Sequence, residues 1–265
     1  MAKLIVAGAA GRMGRTLTSL IVQQSSHTLA GAVEAKGVKA VGSDAGEIAG
    51  VGALGVRIGD DYGAIASRDT VTLDFTNATA SLEHLAIAAA NGAAIVIGST
   101  GFTPEMDARA RELAPKTRTL IAPNMSVGIN VLIKLVTEAA GLLHGFDAEV
   151  LEIHHRTKID APSGTALALG RAIAAARGQD FQKSAVHGRE GITGVRPADQ
   201  IGILAMRGGD AVGDHTVIFA GLGERLELIH RTQSREALAS GALHAAAWLE
   251  NKPNGLYSIR DVLGL

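Results

Sequence analysis

The sequence predicts an α/β fold in which a doubly wound parallel sheet is accompanied by a second, α+β domain with a mixed sheet. Three observations support this prediction. The chain has 265 residues, a length that suits two modest domains. Its first half alternates short β-branched runs with longer segments of helical periodicity. After Asn124 the pattern changes to a long helix and then to apolar runs typical of a mixed or antiparallel sheet.

The first half contains the runs expected to form buried parallel strands. They are KLIVAG (3–8), TLAGAVE (28–34), TVTLDFT (70–76), AAIVIGST (93–100) and TLIAPN (119–124). Segments with helical spacing lie between several of them, namely GRMGRTLTSLIVQQ (11–24), ATASLEHLAIAAANG (78–92) and TPEMDARARELA (103–114). This alternation predicts a doubly wound domain with helices on both faces of the sheet.

The second half predicts elements of a different kind. They are a helix over 126–145, a strand DAEVLEIHH (147–155), a helix from Gly164, a polar glycine-rich segment over 179–200, and the apolar runs IGILAMRG, HTVIFAG and RLELIHRT between 201 and 232. The segment 235–252 is predicted to form a final helix, and the tail GLYSIRDVLGL (255–265) is predicted to be helical as well. The apolar runs are too hydrophobic for a sheet with one face in water, so we expect that face to be covered by another subunit.

Composition excludes several classes of function. The formal net charge is −1, with 25 basic and 26 acidic residues, so we expect neither nucleic acid nor an anionic membrane surface as a partner. The chain has no cysteine, which excludes disulfides, thiolate zinc sites and a cysteine nucleophile, and we expect no metal. No apolar stretch approaches the roughly 18 residues of a membrane span. These features predict a cytoplasmic protein that acts on a small molecule.

A glycine-rich turn follows the first predicted strand. The motif VAGAAGRMG places Gly8, Gly11 and Gly14 between a strand and a helix. Glycines there permit a tight turn and close approach of backbone N–H groups to a pyrophosphate, and the helix N-terminus favours the anion. The spacing is G-x-x-G-x-x-G, and a packing turn in an alanine-rich fold would show the same pattern. Glu34 ends the second strand about 20 residues beyond the turn, where an acidic residue would meet ribose hydroxyls, unless it is a surface glutamate.

Two further strand ends carry small and amide residues. They are GSTGF (98–102) and APNMS (122–126). Because open α/β sheets bind ligands at the carboxyl ends of their strands, these segments are expected to line a nicotinamide.

The stretch EIHHRTKIDAPSGTA (152–166) concentrates proton donors and anion-binding groups. Hydride transfer to a conjugated C=N system needs a proton donor, and His154, His155 and Lys158 are suitable acids. Strand alternation sends the two histidines to opposite faces, although either could be a packed strand residue and the lysine a solvated loop residue. Ser163, Gly164 and Thr165 open the next helix and would form a carboxylate site. The stretch predicts a small acidic substrate beside a reducible cofactor.

Six motifs together resemble one family. VAGAAGRMG, GSDAGEIAG, GSTGF, APNMSVGIN, HHRTKIDAPSGTA and GERLELIHRTQSR occur in order along the chain and are similar to those of the 4-hydroxy-tetrahydrodipicolinate reductases, also called dihydrodipicolinate reductases. The resemblance implies a Rossmann-type dinucleotide-binding domain over 1–125 and 236–265. It implies a substrate-binding and tetramerisation domain over 126–235, a cyclic dicarboxylate substrate, and reduction by NADH or NADPH in the diaminopimelate route to lysine.

The resemblance also implies roles for individual residues. It makes His154 the acid/base residue, Lys158 the proton donor, and His155, Gly164 and Thr165 ligands of the substrate carboxylate. Arg235 matches a family arginine near the cofactor. The implied cofactor residues are Gly8, Ala9, Ala10, Gly11, Arg12 and Met13 at the pyrophosphate, Glu34 at the ribose, and Gly98, Ser99, Thr100, Ala122, Pro123, Asn124 and Met125 at the nicotinamide half.

Two positions depart from the family pattern and bear on the cofactor. Many family members have a second glycine at the position of Ala10. Many also have arginine at the position of Ala35, directly after the glutamate. Alanine cannot pair with a 2′-phosphate as arginine does, and Lys36 would replace it only in part. We therefore expect both NAD and NADP to be used, with NADH modestly preferred.

Two other functions would share part of this pattern. A semialdehyde dehydrogenase of the same two-domain plan needs a cysteine nucleophile, which the chain lacks. A non-catalytic NAD(P)-binding sensor would keep the glycine turn but would have no need for His154 together with Lys158.

Overall fold

A computed structural model of the chain describes residues 2–24 and 26–265. The chain forms two compact units. Unit 1 runs to Val127 and resumes over Arg235–Leu265, and unit 2 comprises Gly128–Ser234. The two units have separate hydrophobic cores, and each is described in turn.

In the described part of unit 1, seven strands form a parallel sheet. The strands are β1 (Ala2–Ala7), β2 (His27–Val33), β3 (Ile58–Gly59), β4 (Thr70–Asp74), β5 (Ala94–Ile97), β6 (Arg118–Ile121) and β12 (Gly255–Tyr257). Their spatial order is β12-β6-β5-β4-β1-β2-β3. The strand order reverses between β1 and β4, which is the arrangement of a Rossmann-type sheet and the place where such sheets bind ligands.

Helices cover both faces of this sheet. They are α1 (Arg12–Gln23), α2 (Ala45–Ala49), α3 (Ala78–Asn91), α4 (Pro104–Leu113), α8 (Glu236–Leu249) and α9 (Ile259–Leu263). In β1, Leu4 and Val6 join the core with α1 and α8, whereas Ile5 and Ala7 join the core with α3 and α4. Because β1 is buried on both faces from Leu4 to Ala7, this part of its sequence is a continuous apolar run rather than an alternating one.

Unit 2 contains a mixed sheet of five strands in the order β11-β10-β7-β9-β8, within a range that is described throughout. The strands are β7 (Asp147–His154), β8 (Ala185–Val186), β9 (Ile201–Arg207), β10 (Gly213–Ala220) and β11 (Arg225–Thr232). The central strand β7 pairs with β9 in parallel and with β10 antiparallel. The unit's helices are α5 (Val127–Leu142), which begins at the unit boundary, α6 (Gly164–Ala176) and the short α7 (Phe181–Ser184).

The two faces of this sheet differ in burial. Side chains that alternate along β7, such as Ala148 and Val150, are fully buried with apolar residues of α5 and α6. On the other face, Leu151 is half-buried, and Met206 and Ile229 are 52% and 48% exposed. An exposed apolar sheet face of this kind is characteristic of a protein interface.

The predicted fold class is confirmed, and each predicted strand is found within a few residues of its expected ends. One reading of the tail is wrong in part: Gly255–Tyr257 is not helical but is the edge strand β12, and only Ile259–Leu263 is a helix. The polar segment over 179–200 contains α7 and β8, which the sequence did not predict. Among the described residues, no helix has both the length and the apolar character required to cross a bilayer.

Candidate active site

The glycine-rich turn joins β1 to α1 at the carboxyl edge of the parallel sheet. Gly8 has a φ of +72°, a conformation that glycine adopts without strain. A Cβ on Gly14 would lie 2.1 Å from the Gly8 carbonyl oxygen, so the first turn of α1 approaches the turn too closely for any side chain there. This packing places the N-terminus of α1 directly against the end of β1.

Glu34 joins the end of β2 to the same turn. Its Oε1 accepts a hydrogen bond from the Ala10 N–H at 2.8 Å, and its Oε2 accepts one from the Ala35 N–H at 3.3 Å. The Gly8 N–H donates to the Val33 carbonyl at 2.9 Å, which completes the connection. The acidic residue that the sequence predicted near a ribose therefore lies beside the predicted pyrophosphate turn.

The turn fits a dinucleotide pyrophosphate. No described side chain caps the N-terminus of α1, whose N-cap residue is Gly11. The first-turn N–H groups of a helix have no partner within the helix, and the helix dipole favours an anion at that end. Arg12, the first residue of α1, is exposed, so a phosphate can approach the N–H groups of the first turn.

A cavity of about 340 Å³ lies at the carboxyl ends of β4, β5 and β6. Six residues predicted to bind the cofactor line it, namely Met13, Gly98, Ser99, Thr100, Pro123 and Met125. Arg235 at the start of α8 also lines this cavity, as do Phe75, Thr76 and Asn77, which were not predicted as cofactor residues. Those three residues follow β4 directly, so the rule that ligands bind at strand ends would have identified them.

A chain of polar side chains supports one wall of the cavity. Ser99 Oγ is 2.6 Å from Ser81 Oγ, and Ser81 Oγ is 3.3 Å from Thr76 Oγ1. Thr76 donates to the fully buried Asp74 at 2.6 Å, and His84 Nδ1 lies 2.7 Å from the other oxygen of Asp74. Burial alone would raise the pKa of Asp74, but the hydrogen bonds from His84 and Thr76 hold it below its usual value.

In unit 2, Glu152 and His154 lie on the buried face of β7. Glu152 is 1% exposed and its carboxylate accepts a hydrogen bond from His154 Nδ1. Arg207 at the end of β9 donates to both oxygens of Glu152, at 2.8 and 2.9 Å, and the Ser163 N–H donates at 2.9 Å. Every oxygen of this buried carboxylate is therefore paired, as buried charges require.

The start of α6 adjoins this cluster. Ser163 caps the helix, because its Oγ accepts from the Ala166 N–H at 3.2 Å. Gly164 and Thr165 form the first turn of α6, where the backbone N–H groups point toward the N-terminus of the helix. Gly164 is exposed and a side chain there would meet no neighbouring atom within 4 Å, which leaves room for an anion.

The loop between β7 and α6 carries the predicted proton donor. Lys158 Nζ donates to both carboxylate oxygens of Asp160, at 2.7 and 2.9 Å. The Lys158 hydrogen bond lowers the pKa of Asp160. His155, which follows the buried His154, is half-buried, and its Nδ1 lies 2.8 Å from Thr157 Oγ1. The two histidines thus occupy different environments, as the alternation predicts.

His215 on β10 packs behind His154. The two ring centroids are 5.2 Å apart with the planes at 75°, and His215 Nε2 lies 3.2 Å from Ser163 Oγ. Burial, and then the neighbouring His154, lowers the pKa of His215 to about 4. Glu152, Arg207 and His215 were not predicted as site residues. Arg207 lies 55 residues from Glu152 and His215 lies 52 residues from Ser163, so neither pair is visible in the local sequence.

Comparison with known proteins identifies the family. Residues 2–125 match the family described as "Dihydrodipicolinate reductase, N-terminus", and residues 128–263 match "Dihydrodipicolinate reductase, C-terminus". A curated 4-hydroxy-tetrahydrodipicolinate reductase of Anaeromyxobacter dehalogenans is 50% identical over 266 aligned residues, covering 100% of this chain and 98% of that protein. One of Geobacter sulfurreducens is 48% identical and covers 100% of both chains.

Solved structures show the same fold. The dipicolinate-bound dihydrodipicolinate reductase from Paenisporosarcina sp. TG-14 superposes with a TM-score of 0.76 at 24% identity, covering 97% of each chain. An amine dehydrogenase from Mycobacterium smegmatis gives 0.62 at 16% identity, covering 98% of this chain and 95% of its own. The N-terminal family match, with the glycine turn and the parallel sheet, indicates a nicotinamide-cofactor site at the carboxyl ends of the strands in unit 1. The chain therefore belongs to the dihydrodipicolinate reductase family.

Proposed function

We propose that this chain reduces 4-hydroxy-tetrahydrodipicolinate to tetrahydrodipicolinate in the diaminopimelate route to lysine. The substrate gains one hydride from NAD(P)H and one proton, and it loses its hydroxyl group as water. The observation that carries the proposal is that Glu152 holds both the imidazole of His154 and the Ser163 N–H at the start of α6. The Glu152 carboxylate thus contacts both the candidate acid–base group and the start of the helix that would bind a substrate carboxylate. No observation on the described residues favours a non-catalytic sensor.

We assign cofactor binding to residues 1–125 and 236–265. A bound nicotinamide supplies the hydride. The turn from Gly8 to Met13 would hold the pyrophosphate, with the N–H groups at the start of α1 as donors, and Glu34 would accept hydrogen bonds from the ribose hydroxyls. The segments Gly98–Thr100 and Ala122–Met125 would bind the nicotinamide half, in keeping with the cavity that residues of both segments line.

We assign substrate binding to residues 126–235. The N–H groups of Gly164 and Thr165, with His155, would bind a substrate carboxylate at the N-terminus of α6. Lys158 would protonate the reduced substrate, and the ion pair with Asp160 would hold its side chain in place for this role. His154 would act as the acid–base group.

We propose that both nicotinamide cofactors are used and that NADH is modestly preferred. A 2′-phosphate would add up to two negative charges near the Glu34 carboxylate. Ala35 and Lys36 are exposed beside it, and of the two only the lysine carries a compensating charge.

We also propose that the chain is a homotetramer. The face of the unit 2 sheet that bears Met206 and Ile229 is apolar and exposed, and contact with another subunit would bury it.

The proposed activity is tested by following NADH and NADPH oxidation spectroscopically. The substrate is generated in the assay by condensing pyruvate with aspartate semialdehyde, and reactions that lack either precursor are the controls. Oxidation that depends on both precursors is expected. Oxidation that is absent, or that does not depend on the condensation product, would overturn the proposal.

A further inference from the structure

Glu152 is the most completely paired carboxylate in unit 2, and it can affect the site through its hydrogen-bond partners without contacting the substrate. Its Oε2 accepts hydrogen bonds from His154 Nδ1 and Arg207 Nη1. Its Oε1 accepts hydrogen bonds from Arg207 Nη2 and the Ser163 N–H. Two positively charged or polar side chains and one backbone amide therefore converge on a group that is 1% exposed. Such an arrangement fixes all of its members in one geometry.

The protonation states in this cluster follow from its chemistry. Burial alone would raise the pKa of Glu152, but hydrogen bonds from Arg207, His154 and Ser163 more than offset this and lower it. An ionised carboxylate only accepts hydrogen bonds, so Nδ1 of His154 must carry the proton. Burial, aided by the charges of Lys158 and Arg207, lowers the pKa of His154 although Glu152 opposes this. At neutral pH His154 is therefore a neutral imidazole with a bare Nε2.

The remaining neighbours restrict the ring from other directions. A Cβ on Gly213, the first residue of β10, would lie 2.9 Å from His154 Nε2, so a side chain at that position would displace the ring. The His215 ring packs edge-on from the same strand. The charged or titratable groups that face His154 are thus Glu152 on its own strand, Arg207 from β9, Lys158 from the following loop and His215 from β10.

We infer that Glu152 is the positioning residue that sets the tautomer and orientation of His154, and that Arg207 is the counter-ion that keeps Glu152 able to do so. The assignment of an acid–base task to His154 rests on the proposed function, whereas its tautomer does not. Arg207 extends the network, because its Nη2 also donates to the Asp160 carbonyl at 2.7 Å. Asp160 is the residue whose carboxylate pairs with Lys158. One buried pair therefore supports both of the proposed proton-transfer groups.

The first test is Glu152→Gln in the full-length protein. The amide keeps the shape but cannot accept from every donor that now meets the carboxylate. We expect kcat to fall by about 10²- to 10⁴-fold, the scale seen when a carboxylate that orients a histidine is neutralised, with KM changed only a few-fold. In ring-¹⁵N-labelled protein, the His154 signals, assigned by their loss in His154→Gln, should change from the Nδ1–H tautomer toward Nε2–H. The pH at which His154 titrates should fall.

Two further variants separate positioning from loss of structure. Glu152→Gln/Arg207→Met removes both charges, so no unpaired charge is left buried. It should recover thermal stability but not kcat. Asp44→Asn is the matched control, since Asp44 accepts four backbone hydrogen bonds in unit 1 but lies outside the site. It should leave kcat and the His154 tautomer unchanged.

The outcomes distinguish this inference from the proposed function. If Glu152→Gln, or the double variant where the single one does not fold, keeps kcat within about threefold of the wild type, Glu152 does not position His154. An unchanged tautomer leads to the same conclusion. If the wild type has no reductase activity but the tautomer changes in the variant, the proposed function fails and the structural role of Glu152 stands.

Discussion

Glu34 Oε1 accepts a hydrogen bond from the Ala10 N–H at 2.8 Å, which ties the end of β2 to the glycine-rich turn. The carboxylate is therefore held in place before any ligand binds. If Glu34 meets the ribose as proposed, its negative charge would oppose a 2′-phosphate. We therefore expect the residues after Glu34 to influence the choice of cofactor.

Wild-type protein should use NADH with a kcat/KM about tenfold higher than NADPH, equivalent to about 1.4 kcal/mol. Ala35→Arg should shift the ratio toward NADPH, because a guanidinium can pair with a 2′-phosphate in a bidentate manner. The measurement is kcat/KM for each cofactor at one ionic strength, since phosphate contacts weaken with salt.

Ala35→Gln is the control for this variant, because it adds length and hydrogen-bonding capacity without charge. It should leave the ratio near that of the wild type. A wild-type preference for NADPH, or an unchanged ratio in Ala35→Arg, would mean that residues outside this turn recognise the 2′ position.

Lys158→Ala should lower kcat by about 10²- to 10⁴-fold while leaving the dissociation constant for NADH unchanged, because it removes the proposed proton donor from unit 2. Lys183→Ala is a matched control, since Lys183 also pairs with an aspartate of unit 2, Asp180, at 3.9 Å, but its side chain is 85% exposed. Steady-state kinetics and cofactor titration give the two quantities. A Lys158→Ala variant that retains more than about half of wild-type turnover excludes Lys158 from proton transfer.

Much of the fold could be predicted because buried strands carry a local signal. β1, β4 and β5 lie in the middle of the sheet, and their apolar runs were sufficient to identify them. β12 has no such signal. It is a three-residue edge strand defined by its pairing with β6, a relationship over more than a hundred residues of sequence.

The site shows the same limit. His154 and Lys158 are recognisable within one short motif, whereas Glu152 is one of two glutamates in β7 that look alike in sequence. Glu149 alternates with it onto the other face and pairs with Arg189 and Arg196. Only the fold shows that Arg207, at 55 residues' separation, meets Glu152. Side-chain pairing across a sheet depends on strand register, which local pattern does not determine.

Ile229→Glu should dissociate the proposed tetramer, because it introduces a charge on the exposed apolar face of the unit 2 sheet. Sedimentation velocity at micromolar concentration measures the assembly. Val22→Glu is the control, since Val22 lies on α1 of unit 1 and is similarly exposed, at 45% against 48%. A wild-type protein that sediments as a monomer would contradict the proposed assembly.

The buried His215 predicts acid sensitivity of unit 2. Burial first, and then electrostatic interactions with His154, His230 and Lys158, depress its pKa from 6.5 to about 4, against the opposing effect of Glu152. Between these two values the unfolded chain binds a proton that the folded protein does not bind. The free energy of unfolding is therefore unaffected by this group above about pH 6.5 and falls as the pH falls through that window.

His215→Gln should reduce this sensitivity, because glutamine does not titrate and can still bond to Ser163. Between about pH 7 and about pH 5, the wild type should lose about 2 kcal/mol more unfolding free energy than the variant. Urea unfolding followed by circular dichroism at each pH measures the difference. His144→Gln, an exposed histidine of unit 2, should behave as the wild type does. Equal losses in wild type and His215→Gln would show that His215 does not stay neutral in the folded protein over this range.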